Sequence, residues 1–369
     1  MVGSARHFFA RGNTARGAHY LYGSAFQGLQ KIFLLDGYAG SGKSILLQKI
    51  ADETMSDGQS VDLFHSPLNP GELDALIIQD LKVGVADGRT SEGLDSITGA
   101  ELVRIDLGQA VDTAKLSEET KREVELIQAE LQKAYASAYS SFAAALRIHD
   151  EWEAIYISHM DFHKADQVGQ DLVAALFGEQ TRDKSATVRH LFFGAATPEG
   201  AVDHIPTLTA PLERRIFIKG RPGSGKSTLL KRLAKAAEEK GFDVEVYHCG
   251  FDPSSLDMLI FPELSLAIFD STAPHEYFPS RASDEVLDMY DRTMQPGVDE
   301  QYAGELTSIR QRYSQKMQEA VAHLKAAQQI HSRIKAHYMS VTDFDEVDRL
   351  HSDLQGEIRQ LAALRPAIE

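Results

Sequence analysis

Two stretches of the chain carry residue types in an order suited to holding a polyphosphate. They are Gly37-Tyr-Ala-Gly40-Ser41-Gly42-Lys43-Ser44 and Gly220-Arg-Pro-Gly223-Ser224-Gly225-Lys226-Ser227-Thr228. Both fit G-x-x-x-x-G-K-[ST]. Glycines let backbone N–H groups face phosphates with no side chain in between. A helix beginning at the lysine presents its positive end to the same phosphates. Lys43 and Lys226 are then expected to reach the β- and γ-phosphates, and Ser44 and Ser227 to bind Mg2+. A metal-orienting aspartate normally closes a neighbouring strand. Asp87, ending Val83-Gly-Val-Ala, and Asp270, ending Leu266-Ala-Ile-Phe, have that form. Neither is followed by the glutamate that activates water in many motor ATPases, and Asp74 and Asp257 are further acidic candidates. No Asn-Lys-x-Asp guanine motif occurs, so the expected ligands are ATP and Mg2+ rather than GTP.

The lysines are 183 positions apart, and that offset runs without a gap from Arg6/Arg189 to Asp87/Asp270. Of these 82 aligned positions, 26 are identical. The offset then becomes 182 and continues through His149/His331, Tyr156/Tyr338 and Asp161/Asp343. The chain therefore reads as two copies of one domain, 1–183 and 184–369, an internal pseudo-dimer.

Each copy must position its loop between an apolar strand (Ile32–Leu35 or Arg215–Ile218) and a helix (Lys43–Thr54 or Lys226–Lys240). A second strand follows, Val61–His65 or Val244–His248, and a third ends at Asp87 or Asp270. Alternating strands and helices imply an α/β fold with a mainly parallel sheet. Beyond the sheet, Val124, Leu131, Ala138, Ala145 and Trp152 recur every seven residues, with Tyr135, Phe142, His149 and Tyr156 as a companion row. The second copy repeats this from Leu306 to Tyr338. Such heptads predict one long helix of about 35–44 residues per copy. Asp161 and Asp343 read as N-caps of a returning helix. The expected result is a helical hairpin in each copy, at about 115–178 and 298–362.

The copies differ after the strand-end aspartate. The second reads Asp270-Ser-Thr272-Ala-Pro-His275-Glu-Tyr-Phe-Pro-Ser-Arg281, whereas the first has Thr90-Ser-Glu-Gly93. His275 is expected near a γ-phosphate or substrate, and Arg281 is a candidate to neutralise transition-state charge. With Lys226 and Asp270 they form the expected catalytic set, which makes the C-terminal site the more active. Arg11 and Arg16, absent from the second copy, are candidates to complete a site across the copies.

Composition limits the alternatives. The net charge of −16 disfavours nucleic acid and anionic membranes as partners. The single cysteine, Cys249, excludes an intramolecular disulfide, and a cytoplasmic location is expected.

On these motifs the chain resembles bacterial tandem P-loop proteins described only as ATPase-like. The resemblance spans the full length. Its residues are Arg189-His-Leu-Phe-Phe-Gly-Ala-Ala-Thr-Pro198, the Gly220–Thr228 loop, Val246-Tyr-His-Cys-Gly-Phe-Asp-Pro253 and the Asp270–Arg281 stretch. The resemblance implies ATP binding. It also implies a Thr-Ala-Pro-His stretch in the first copy, from which Thr90-Ser-Glu-Gly93 departs. The expected function is Mg2+-dependent ATP hydrolysis coupled to movement of the hairpins and to a small-molecule or protein partner. Transfer of the γ-phosphate to a small molecule and non-enzymatic nucleotide gating are the alternatives.

Overall fold

The computed structural model describes residues 3–89, 92–94 and 97–364, so Thr90 and Ser91 lie outside the described residues. The first copy opens with β1 (Ala5–Phe8), the hairpin β2 (Arg11–Thr14) and β3 (Gly17–Tyr20), and the turn α1 (Tyr22–Ala25). The loop-bearing unit follows as β4 (Lys31–Asp36), α2 (Lys43–Ser56) and β5 (Val61–His65). Next come β6 (Leu73–Ile78), β7 (Val83–Asp87), β8 (Glu101–Asp106), α3 (Glu118–Ile157) and α4 (Phe162–Phe177).

The second copy repeats the series. It has β9 (Val188–Leu191), β10 (Gly194–Thr197), β11 (Gly200–Asp203), α5 (Ile205–Thr209), β12 (Arg214–Lys219) and α6 (Lys226–Glu239). It continues with β13 (Val244–His248), β14 (Leu256–Phe261), β15 (Leu266–Asp270) and β16 (Asp284–Asp288). Two short helices, α7 (Met289–Thr293) and α8 (Val298–Gln301), precede α9 (Ala303–Met339) and α10 (Phe344–Ala363).

Each copy builds a six-stranded sheet with one order, β1-β5-β6-β7-β4-β8 in the first and β9-β13-β14-β15-β12-β16 in the second. The pairings are mostly parallel, but β6 and β14 run antiparallel to both neighbours. This corrects the single third strand expected from the sequence. Lys82 and Ser265, both at positive φ, turn the chain tightly between two apolar runs. Neither is glycine, so the turn carries no obvious sequence mark. All six residues of β6 are buried. Ala75 and Ile77 face a core shared with the other copy, while Leu73, Leu76 and Ile78 face α2. Apart from Asp74, this strand covered on both faces reads as an apolar run.

The long helices form as expected, 40 residues in α3 and 37 in α9. Ser117 caps α3, and Asp161 and Asp343 cap α4 and α10 through their side chains. Their packing differs from the expected hairpins. The partner of α3 is α9 of the other copy, antiparallel: Val124 and Ile127 meet Ile334, Ala138 and Phe142 meet Ala320 and Leu324, and Tyr156 meets Leu306.

The shorter helices also cross over. Val347, Leu350, Leu354 and Ile358 of α10 pack on Leu46, Leu47 and Ile50 of α2 in the first copy. Leu176 and Phe177 of α4 pack with Leu229, Leu230 and Leu233 of α6 in the second. The two copies thus exchange helices. A heptad stripe states that a helix has a partner, but both long helices carry the same stripe, so it does not say which.

Candidate phosphate-binding sites

Each Gly-rich loop leaves the C-terminal end of its strand and enters the helix through a left-handed glycine. Gly42 (φ 90°) precedes α2 and Gly225 (φ 84°) precedes α6, neither with a side-chain cap. The first N–H groups of each helix are therefore directed into the loop without a capping oxygen. Gly37 lies so close to Ser41 that a Cβ there would meet the Ser41 hydroxyl at 2.7 Å, and the Gly220–Ser224 pair repeats this at 2.5 Å. Both hydroxyls are buried without a hydrogen-bond partner. The loop is a close-wound cradle that larger residues would obstruct.

The strand bearing the aspartate lies beside the loop strand in both sheets, with Leu35 opposite Asp87 and Ile218 opposite Asp270. Lys43 Nζ is 3.7 Å from Asp87 Oδ2, and Lys226 Nζ is 3.5 Å from Asp270 Oδ2. Lys43 also donates to the Gly37 and Tyr38 carbonyls, and Lys226 to the Arg221 carbonyl. Burial lowers the pKa of Lys43 and raises that of Asp87. The Ser227 hydroxyl accepts the Leu256 N–H at 3.0 Å, which ties the loop to β14. The residues singled out for phosphate and Mg2+ thus converge at one end of each sheet.

The other two expected catalytic residues fare differently. His275 follows β15 at the loop end, but its Nδ1 lies 2.7 Å from Asp203 and its ring packs edge-on against Phe193. Burial favours a protonated Asp203, but hydrogen bonds from His275 and Tyr277 hold its pKa below the usual value. Arg281 is a correction. It donates to the Leu212 and Ala210 carbonyls at 2.8 and 2.7 Å. It precedes β16, which runs parallel to β12 with Arg215 opposite Asp284, whereas the Gly-rich loop follows the far end of β12. A parallel crossover carries the chain back to the strand's starting edge, so Arg281 lies at the opposite end of the sheet.

Of the two arginines expected to complete a site across the copies, Arg11 is a correction. Arg11 stays in its own copy, where Nε donates to Asp74 at 2.7 Å and Nη2 to Ser66 at 3.2 Å. Arg16 does cross to the second copy, but to Asp252 at 2.7 Å, as an exposed ion pair. At the position equivalent to Arg11 the second copy has Gly194, with Cys249 replacing Ser66. Asp257 is therefore without the arginine its counterpart has. Burial, and then the neighbouring charge of Asp270, push its pKa up to about 6.

Sequence reasoning missed what covers the loops. A cavity of about 470 Å³ lies over the first loop, and His331, Lys335 and Met339 of α9 form part of its wall. A Cβ on Gly40 would lie 2.6 Å from the Lys335 carbonyl. At the second loop the pseudo-equivalent contact is Gly223 with the Glu153 carbonyl of α3, at 2.7 Å. Tyr38, within the first loop, stacks on Tyr338 with ring centroids 4.6 Å apart. Each loop is thus roofed by the long helix of the other copy. No helix is long and apolar enough to cross a membrane among the described residues. No family model, curated protein or solved structure matches the chain.

Proposed function

We propose that the chain is a tandem P-loop NTPase that binds ATP at both Gly-rich loops and hydrolyses it with Mg2+. One observation carries this reading: both loops run from strand end to helix start through a left-handed glycine, with the loop lysine within 4 Å of a strand-end aspartate. A glycine turn kept only for packing has no need of that lysine–aspartate pair.

In this reading the loop N–H groups and the helix N-termini hold the phosphates, and Lys43 and Lys226 turn from their loop carbonyls toward them. Ser44 with Asp87, and Ser227 with Asp270, would hold Mg2+, whose bound charge offsets that building up on the phosphates. Hydrolysis forms a bond from a water oxygen to the γ-phosphorus and breaks the bond to the β–γ bridging oxygen, releasing ADP and phosphate. Because each loop is roofed by the other copy's helix, nucleotide binding presses on the inter-copy coiled coil rather than on a hairpin within one copy.

Calorimetry with Mg2+ and a non-hydrolysable ATP analogue tests this. Wild type should bind about two equivalents, and Lys43→Ala and Lys226→Ala should each abolish one. Absence of binding, or binding unaffected by both substitutions, defeats the reading.

A further inference from the structure

The two loops are alike in backbone and unlike in charge. The first cavity is lined by four cations, Arg11, Lys43, Arg89 and Lys335. Against them stand three carboxylates, Glu72, Asp74 and Asp87. The equivalents of Arg11 and Arg89 in the second copy are Gly194 and Thr272. The match of Arg89 with Thr272 is geometric as well, since both donate their N–H to the strand-end aspartate, Asp87 or Asp270, at 2.9 and 3.1 Å. Glu72 becomes Ser255, and Lys335 becomes Glu153. At the positions equivalent to the first cavity's lining, the second copy has Lys226 and Lys231 against Asp252, Asp257, Asp270 and Glu153, with Asp252 paired to Arg16.

Lys335 is the member of the cationic set that comes from the other copy. Its backbone abuts Gly40, so α9 cannot move away without opening the roof of the loop. Its Nζ lies 2.6 Å from Glu72, on the cavity wall. A long lysine stem lets the ammonium change partner by rotation while the helix stays in place. Glu153, at the same helical position over the second loop, lies 3.9 Å from His149 and brings negative charge.

We propose that the N-terminal cavity is the tighter nucleoside-triphosphate site, and that Lys335, reaching in from the second copy, is one of its phosphate-binding residues. This rests on the P-loop reading above and adds an order of affinity and a residue supplied across the copies. The polyphosphate draws Lys335 away from Glu72. Binding at the first site then ties the second copy's helix to the first copy's loop. At the second site Glu153 repels the same group.

The test is calorimetry of the full-length chain with Mg2+ and a non-hydrolysable ATP analogue at low salt. Wild type should show two classes of site, the tighter removed by Lys43→Ala. Lys335→Glu should weaken the tighter class about 10–100-fold and leave the weaker unchanged, and Lys335→Arg should retain most of the affinity. Glu153→Lys should tighten the weaker class. Glu72→Gln separates the phosphate role from a structural one. It breaks the same ion pair as Lys335→Glu, yet it should hold or raise affinity because Lys335 is released to the ligand. Equal weakening by Glu72→Gln and Lys335→Glu overturns the proposal. So does unchanged tight binding in Lys335→Glu, or a tight class removed by Lys226→Ala instead of Lys43→Ala. A wild-type chain that binds no nucleotide refutes the P-loop reading itself. Two-class binding with an unaffected Lys335→Glu refutes only the inference.

Discussion

Arg189 of the second copy donates from Nη1 to the Asp62 carboxylate of the first at 2.7 Å. Its counterpart is Arg6 of the first copy, which donates to Glu245 of the second at 2.5 Å. Arg6 and Arg189 are the second residues of β1 and β9, three positions before the paired backbones of Phe9 and Phe192. Asp62 is 1% exposed, so removing it leaves a largely buried guanidinium short of a partner. Asp62→Ala should destabilise the fold by about 3–5 kcal/mol. A denaturant titration measures this, and a cycle with Arg189→Met should recover part of the loss.

Arg281 is predicted to be dispensable for nucleotide. Its guanidinium is tied to the Ala210 and Leu212 carbonyls at the starting edge of the sheet. Arg281→Ala should leave ATP affinity and phosphate release within about twofold of wild type while lowering stability by about 1 kcal/mol. A hundredfold loss of turnover with intact affinity would return it to the site.

Acid should weaken the joint between the copies before it reaches the carboxylates. Burial, reinforced by nearby imidazoles, lowers His65 and His204 to about 4. Burial likewise takes His248 to about 4. In the unfolded chain each titrates near 6.5. Between those values the unfolded state binds more protons, so stability falls as pH drops from about 6.5 to 4 and is flat above 7. Thermal denaturation across this range checks the slope, and His204→Phe should make it shallower.

Asp257 carries the opposite sign. Its carboxyl is raised above its unfolded value, so it costs stability as pH rises through about 6. Asp257→Asn should raise the Tm of the nucleotide-free chain at pH 8 by a few degrees and have little effect at pH 4. An equal shift at both pH values would rule out the ionised carboxylate as the cause.

The exchanged helices make each half incomplete. Residues 1–183 lack α10, whose Val347, Leu350, Leu354 and Ile358 close the outer face of the first sheet. Separately produced 1–183 and 184–369 should combine into a one-to-one complex on mixing. Alone, residues 1–183 should show faster hydrogen exchange in α2. Full protection of α2 in the isolated first half would contradict the exchange.

The amino-acid sequence alone determined the duplication, the two Gly-rich loops, the strand-end aspartates and the long capped helices. These rest on local rules: glycine where φ is positive, a cap where a helix begins, a heptad where one face is buried. Tertiary structure decided which copy each helix serves, because equal apolar stripes on α3 and α9 satisfy either pairing; the observed one goes with the joints at Met160–Met294 and Val111–Thr342 and with α10 packed on α2. It removed Arg281 from the site, since sequence distance from Asp270 does not show the parallel return of β16. It also brought Lys335 to a loop almost 300 residues earlier in the chain. The Lys335/Glu153 reversal was present in the repeat alignment, but it acquires meaning only once each helix is seen to roof the opposite copy's loop. Charge acts through space, and the fold supplies the distances.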